Sequence, residues 1–563
     1  METFLSRNLE DILMSDAPDA GSTCPASALG TLRQLFAAAR QHVPAYAEHA
    51  ASAKEAEAHQ GAGASAAAGP SGGDPLHGIP YTTKESYYGR HPLAARCWGG
   101  SLAGADFVHF SSGSSGRPTP WARCADDEGE VAARFEQVLR DSFACHERSS
   151  LCVVALPLGS WVGGVFTTMC LRLLSLKGYR LVVTTPGNRV PEIIQIIESL
   201  GPSCDQTVIL GYPPFVKAVI DEGLAQGVEW GRYALKLVLA GEVFSEDWRA
   251  LMAARGAIAE PHRGVASIYG TADAGVIAVE TPLSALVRGW LSAHPEHARA
   301  LFGRERLPTL AQYDPRNRFL ELHPEDGTIV VSSLPGDGRA EQLREAAAAA
   351  PGPPPAAGGG GGACALRGAP LLRYCIGDAG GVVGFDEMAS FLAARGYDPL
   401  ADGRCAPVRR LPFVWVFGRS FWAVSLYGAN VYVEQVMPAF EGGGEEEQEE
   451  QGGEGGAEGG GGGGGGGRAR LSDLLTGKFV LYVEEDADAN PRLALRAETA
   501  RGVAPGGALA ARAARAVRAA LLRASSEYAA YVPQERQLPA VHVYAHSDPQ
   551  HFPPGVKHRY TLV

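Results

Sequence analysis

The chain has 563 residues, a formal net charge of −12 and 10 cysteines. That length holds more than one domain and a sizeable core, and the acidic balance without a basic stripe argues against a nucleic-acid partner. No two cysteines form a CxxC pair, which argues against a structural zinc site or a disulfide framework and for free thiols in a reducing compartment.

The N-terminal METFLSRNLEDILMSDAPDA lacks the apolar core of a signal peptide and is too acidic for a transit peptide. The uncharged run from Leu151 is broken by Pro157, Gly159, Gly163 and Gly164, so it reads as strand, turn and helix rather than a membrane span. A soluble, cytoplasmic protein is the expectation. Three segments are low in complexity: 51–74, 340–365 and 441–468. Each buries little apolar surface and reads as a disordered insertion in a surface loop.

Between the first two insertions apolar strands and helices alternate. LCVVALPLG, YRLVVTTPG, DQTVILGYP, LKLVLAGE and GVASIYGT read as strands; WVGGVFTTMCLRLLSLKG, VPEIIQIIESLG, FVKAVIDEGLAQG and SEDWRALMAARGA read as the helices that connect them. This is the pattern of βαβ crossovers. It predicts an α/β fold with a mainly parallel sheet flanked by helices, and ligands beyond the carboxyl ends of the strands. After Glu280, GTIVVSS, LLRYCIG and PFVWVFGRS suggest a β-rich subdomain. From about residue 420, VSLYGANVYVEQV, GKFVLYVEE and AVHVYAH read as strands and Ala508 to Tyr531 as helix. The expected organisation is a large domain over 1–418 and a small, mobile α+β domain over 419–563.

Four loops carry candidate chemistry. In SSGSSGRPT (Ser111, Ser112, Gly113, Ser114, Ser115, Gly116, Arg117), backbone N–H groups and hydroxyls can ring phosphate oxygens and Arg117 can add a charge. A Ser/Gly linker has the same composition. In YGTADAG, Tyr269 offers a face for a base, Thr271 a hydroxyl and Asp273 a hard oxygen for Mg²⁺; a polar turn is the plainer reading. Asp378 in RYCIGDAGG could accept two ribose hydroxyls, or form an ordinary Gly-Asp turn. FGRSFWAVSLYGAN places Arg419 at the domain boundary, as ligand contact, hinge anchor or plain strand-turn, with Phe421 and Trp422 as packing residues.

In this order and spacing, the chain resembles the adenylate-forming superfamily of acyl-CoA synthetases and adenylation domains, and within it the phenylacetate–CoA ligase-like branch. The resemblance runs from LRQLFAAARQHVPAYAEHA through IPYTTKESYYGRHPL, the serine-rich loop, LAGEVFSEDWR, SIYGTADAG, LLRYCIGDAGG and FGRSFWAVSLYGANVY to FPPGVKHRY. It implies ATP and Mg²⁺ as cofactors, a small carboxylic acid as substrate and CoA as acceptor. By position it implies a phosphate loop at 111–119, an adenine border at Gly241 and Glu242, and an adenine-stacking Tyr269 followed by Gly270. It further implies a magnesium-associated Asp273, a ribose-binding Asp378 with Arg419 beside it, and Lys557 as the lysine bridging carboxylate and α-phosphate. Thr271 stands in for the hydroxyl that Ala272 lacks. The acid pocket is expected around Trp161, Gly163, Gly164 and Tyr212.

The motifs depart from the family at Ala272, at Asp273 in place of Glu, at Ser420, Phe421 and Trp422 after the hinge Gly-Arg, at Tyr427 in place of a basic residue, and in GVKHRY, where Lys557 and Arg559 are two apart. The hinge and tail changes fall on the acceptor half of the reaction more than on ATP binding. Adenylyl transfer to another acceptor, or ATP binding without turnover, are the alternatives.

Overall fold

The computed structural model describes residues 2–13, 17, 19–60, 76–111, 118–159, 162–304, 307–348, 366–401, 403–419, 423–440, 470–552 and 560–561. The described residues divide into two compact units, the second beginning at Arg419. Among the described residues no helix is long and apolar enough to cross a membrane.

The first unit opens with helices, among them Ala26–His42 and Pro44–Gln60, and a hairpin of β1 (Phe107–Ser111) and β2 (Thr119–Arg123). The alternating segments then form β3 (Ser150–Ala155), β4 (Leu181–Thr184), β5 (Gln206–Gly211), β6 (Lys236–Ala240) and β7 (Val265–Thr271), with the predicted helices between them. They pair in parallel in the order β4-β3-β5-β6-β7. Every residue of β3 and of β5 is buried, which explains their unbroken apolar runs: helices cover both faces of a parallel sheet.

From β7 the direction changes. β8 (Gly275–Val279), β9 (Thr309–Gln312), β10 (Arg318–Leu322), β11 (Thr328–Ser333), β12 (Tyr374–Val383) and β13 (Phe413–Arg419) continue the same sheet, giving eleven strands in the order β10-β11-β12-β13-β9-β8-β7-β6-β5-β3-β4. The expected β-rich subdomain is thus the other half of one mixed sheet. Cores lie against this sheet: helix Ala125–Gln137 and helix Val162–Leu176 supply one, and the aromatic residues Tyr46, Tyr87, Tyr88 and Trp121 belong to another.

Two of the expected insertions require correction. Backbone is helical through Gln60 and over Asp337–Ala348, so parts of 51–74 and of 340–365 are regular structure. Alanine-rich sequence is low in complexity and also the best helix former, and composition alone did not separate the two. The segment 441–468 lies outside the described residues.

The second unit contains a hairpin of β14 (Ala423–Leu426) and β15 (Ala429–Tyr432), then a sheet of β16 (Leu475–Glu485), β17 (Pro491–Thr499) and β18 (Ala540–Tyr544). Tyr427 and Gly428, both at positive φ, form the two-residue turn that suits such a hairpin. The predicted helix from Ala508 to Tyr531 is two helices, Gly507–Ala524 and Ser526–Tyr531. Ser525 divides them, its hydroxyl accepting the Tyr528 N–H at 3.1 Å as an N-cap.

Candidate active site

Ends of parallel strands are where chain leaves the sheet. Ala240 closes β6 beside Ile268 of β7, so Gly241 and Glu242 depart next to Tyr269. Gly241 has a φ of +84°, a turn conformation that favours glycine. Gly270 follows Tyr269 where β7 and β8 approach closely: a Cβ there would lie 2.9 Å from the Gly275 carbonyl oxygen. Thr271 then caps the turn into β8, its Oγ1 accepting the Ala274 N–H at 3.0 Å.

Tyr269 is buried, and its hydroxyl donates to Asp378 Oδ2 at 2.9 Å. Tyr374, four residues earlier on β12, donates its hydroxyl to Asp273 Oδ2 at 2.6 Å. Strand order puts β12 four steps from β7, about 19 Å in a flat sheet. The two hydrogen bonds therefore require the antiparallel half to curl back over the 271–274 turn. Arg318 on β10 joins this closure, its Nε–H reaching the Ala274 carbonyl at 3.3 Å.

The β1–β2 hairpin closes on the same turn. His109 Nε2–H donates to the Ala272 carbonyl at 2.7 Å, and one Arg123 nitrogen donates to the carbonyls of Ala272 at 3.2 Å and Asp273 at 2.5 Å. His109 is fully buried. Burial first, then the Arg123 charge, pushes its pKa down to about 4, so it is a neutral donor at physiological pH. Ser111 ends β1 and pairs with Thr119, and its Oγ accepts the Trp121 indole N–H at 2.8 Å. Both stems of the serine-rich loop are thus tied to the YGTADAG turn.

Asp273 is 2% exposed, with Lys84 Nζ at 3.5 Å from the oxygen that Tyr374 also holds. Lys84 and Tyr374 thus share one carboxylate oxygen of Asp273 beside the turn. Among the described residues no group of three or more His, Cys, Asp or Glu side chains could hold a metal ion. Gly163 and Tyr212 are brought together at the ends of β3 and β5, an added Cβ on Gly163 lying 3.8 Å from the Tyr212 hydroxyl. Gly164 is turned to backbone: its Cβ would lie 2.4 Å from the Pro157 oxygen. Arg419 is the last residue of β13. Ser112, Gly113, Ser114, Ser115, Gly116, Arg117, Trp161 and Lys557 lie outside the described residues. In the second unit Tyr560 is held on β16, its carbonyl accepting the Leu481 N–H at 2.7 Å, and the buried Glu498 accepts the Ser547 N–H at 2.8 Å.

Sequence reading missed Lys84, His109, Arg123 and Tyr374. For Tyr374 there was a signal: it shares a face with Asp378 at even spacing along a strand. Lys84, His109 and Arg123 act through backbone or ion contacts far along the chain, which no local pattern marks.

No protein-family model and no curated protein matches the sequence. Solved structures do. A 2-hydroxyisobutyryl-CoA ligase, crystallised with 2-HIB-AMP and CoA in the thioesterification state, aligns over 96% of this chain and 91% of its own with a TM-score of 0.52 and 15% identity. This chain has that fold. An amide bond synthetase, McbA from Marinactinospora thermotolerans, aligns over 82% of the chain and 70% of its own with a TM-score of 0.41 at 15% identity.

Proposed function

We propose that the protein is an ATP-dependent, AMP-forming ligase of a carboxylic acid, working through an acyl-adenylate and completing the reaction on the CoA thiol. The observation that carries this reading is the convergence of the serine-rich hairpin, the Tyr269–Ala274 turn and Asp378, joined by direct hydrogen bonds within the fold of a ligase known with an acyl-AMP.

In this reading the 111–119 loop holds the phosphates, the Tyr269 ring stacks on adenine and Asp378 accepts the ribose hydroxyls. A carboxylate oxygen of the acid attacks the α-phosphorus, pyrophosphate departs, and Lys557 offsets the meeting of two anions. The CoA sulfur then attacks the acyl carbon, releasing AMP and the thiol proton. Mg²⁺ comes with the triphosphate, since Asp273 is engaged by Lys84 and Tyr374. The acid pocket is assigned to Gly163, Tyr212 and Trp161, and an aryl or arylacetic acid is the substrate class suggested by the phenylacetate-like motifs.

The test is pyrophosphate release with ATP, Mg²⁺ and a panel of aryl, arylacetic and aliphatic acids, followed by mass spectrometry with and without CoA. Release with one acid class, loss of it in Lys557→Ala, and a CoA thioester mass support the reading. Release without a thioester moves the acceptor away from CoA. ATP binding with no release from any acid overturns catalysis.

A further inference from the structure

Beside β2, the side chains of Tyr88, Arg96, Trp121, Arg123 and Asp273 line a small cavity with Leu371. It offers about 10 Å³ to the centre of a water-sized particle, enough for one such particle and too little for phosphate or sulfate. Arg96 and Arg123 are 2% and 7% exposed, and among the described residues the Nε–H of each has no hydrogen-bond partner.

Arg96 is the more unusual of the two. One of its terminal nitrogens donates to the Pro120 carbonyl at 3.1 Å, and its guanidinium lies 5.4 Å from the centre of the Tyr88 ring. Among the described residues no carboxylate pairs with it. Burial pulls its pKa down, and the groups that oppose this, Tyr88, Tyr87 and Cys97, are all neutral at physiological pH. A buried guanidinium without a counter-charge is costly, and native proteins rarely retain one. The neighbouring charges deepen the imbalance: Arg123 and Lys84 are positive, and among the described residues Asp273, already beside Lys84, is the one carboxylate lining the cavity.

We propose that this cavity is a binding site for a single monatomic anion of chloride size, held between the Nε–H groups of Arg96 and Arg123. A water molecule could satisfy the same two donors but brings no charge, whereas chloride is only slightly larger and neutralises the excess. A terminal nitrogen of Arg123 holds the Ala272 and Asp273 carbonyls, so the anion would also steady the guanidinium that grips the turn.

The test uses bromide on the full chain. Crystals grown in bromide should show an anomalous peak within hydrogen-bond reach of both Nε atoms. In solution, replacing methanesulfonate by bromide at constant ionic strength should raise Tm by about 1–2 °C per tenfold bromide once the site begins to fill. Arg96→Met, which keeps an apolar stem against Tyr88, should flatten that dependence. Non-anomalous, water-like density together with equal wild-type Tm in both salts overturns the proposal. If R96M does not fold, the wild-type peak and salt dependence decide the matter alone.

Discussion

Tyr269 and Asp378 are joined by one buried hydrogen bond, yet the proposed mechanism gives them separable tasks, and two substitutions pull these apart. Tyr269→Phe keeps the ring and deletes the donor to a buried carboxylate. Hydrogen bonds to charged groups contribute about 1.5–3 kcal/mol. For a unit this large that corresponds to a fall in Tm of about 2–4 °C. Because the stacking face survives, kcat/KM for ATP should change less than about threefold. Asp378→Asn keeps an acceptor for the Tyr269 hydroxyl, so its effect on Tm should be the smaller. It removes the charge that accepts the ribose hydroxyls, and a loss of about 1.5–3 kcal/mol there lowers kcat/KM for ATP about 10- to 150-fold. The assay is ATP–pyrophosphate exchange with an acid that the panel has identified, alongside thermal unfolding of both variants. The expected pattern is crossed: Y269F worse in stability, D378N worse in exchange. Equal losses of exchange in the two variants would show that Asp378 acts only by holding Tyr269, and unchanged exchange in D378N would remove it from nucleotide recognition.

Three further outcomes are expected. His109 has a folded pKa of about 4 against an ordinary value near 6.5, so the unfolded chain takes up its proton first. The stability this gives is complete above about pH 6.5 and lost as pH falls toward 4, up to about 3 kcal/mol; His109→Gln should flatten that acid limb in denaturant titrations. Glu128 is opposite in sign: burial, then Asp106 and Asp127, raise its pKa to about 7, so stability falls as pH rises from about 4.5 to 7. Glu128→Gln should raise Tm at pH 8 and leave it unchanged at pH 4. In RYCIGDAGG, an added Cβ on Gly380 would lie 2.2 Å from the Trp415 carbonyl oxygen, whereas one on Gly289 meets nothing within 4 Å. Gly380→Ala should therefore cost several degrees of Tm or soluble yield, and Gly289→Ala should not.

The sequence by itself determined the parallel half of the sheet. LKLVLAGE and GVASIYGT became β6 and β7 almost residue for residue, because a strand covered on both faces needs an unbroken apolar run and its ends need turn residues. It also determined which loops leave the strand ends, since direction follows from the alternation with helices. The Ala-rich helix Asp337–Ala348 was not legible, because its order depends on a distant surface. It packs near the end of helix Ala26–His42, where Gln41 and His42 side chains bond the carbonyls of Ala347 and Ala346 at 3.4 and 3.0 Å. Tertiary structure alone decided the site. Asp378 is 109 positions from Tyr269, and Lys84 is farther still from Asp273. Periodicity says which face of a strand a residue occupies; how far a sheet curls depends on the packing of whole layers against it, and that curl is what carries β12 back to the end of β7.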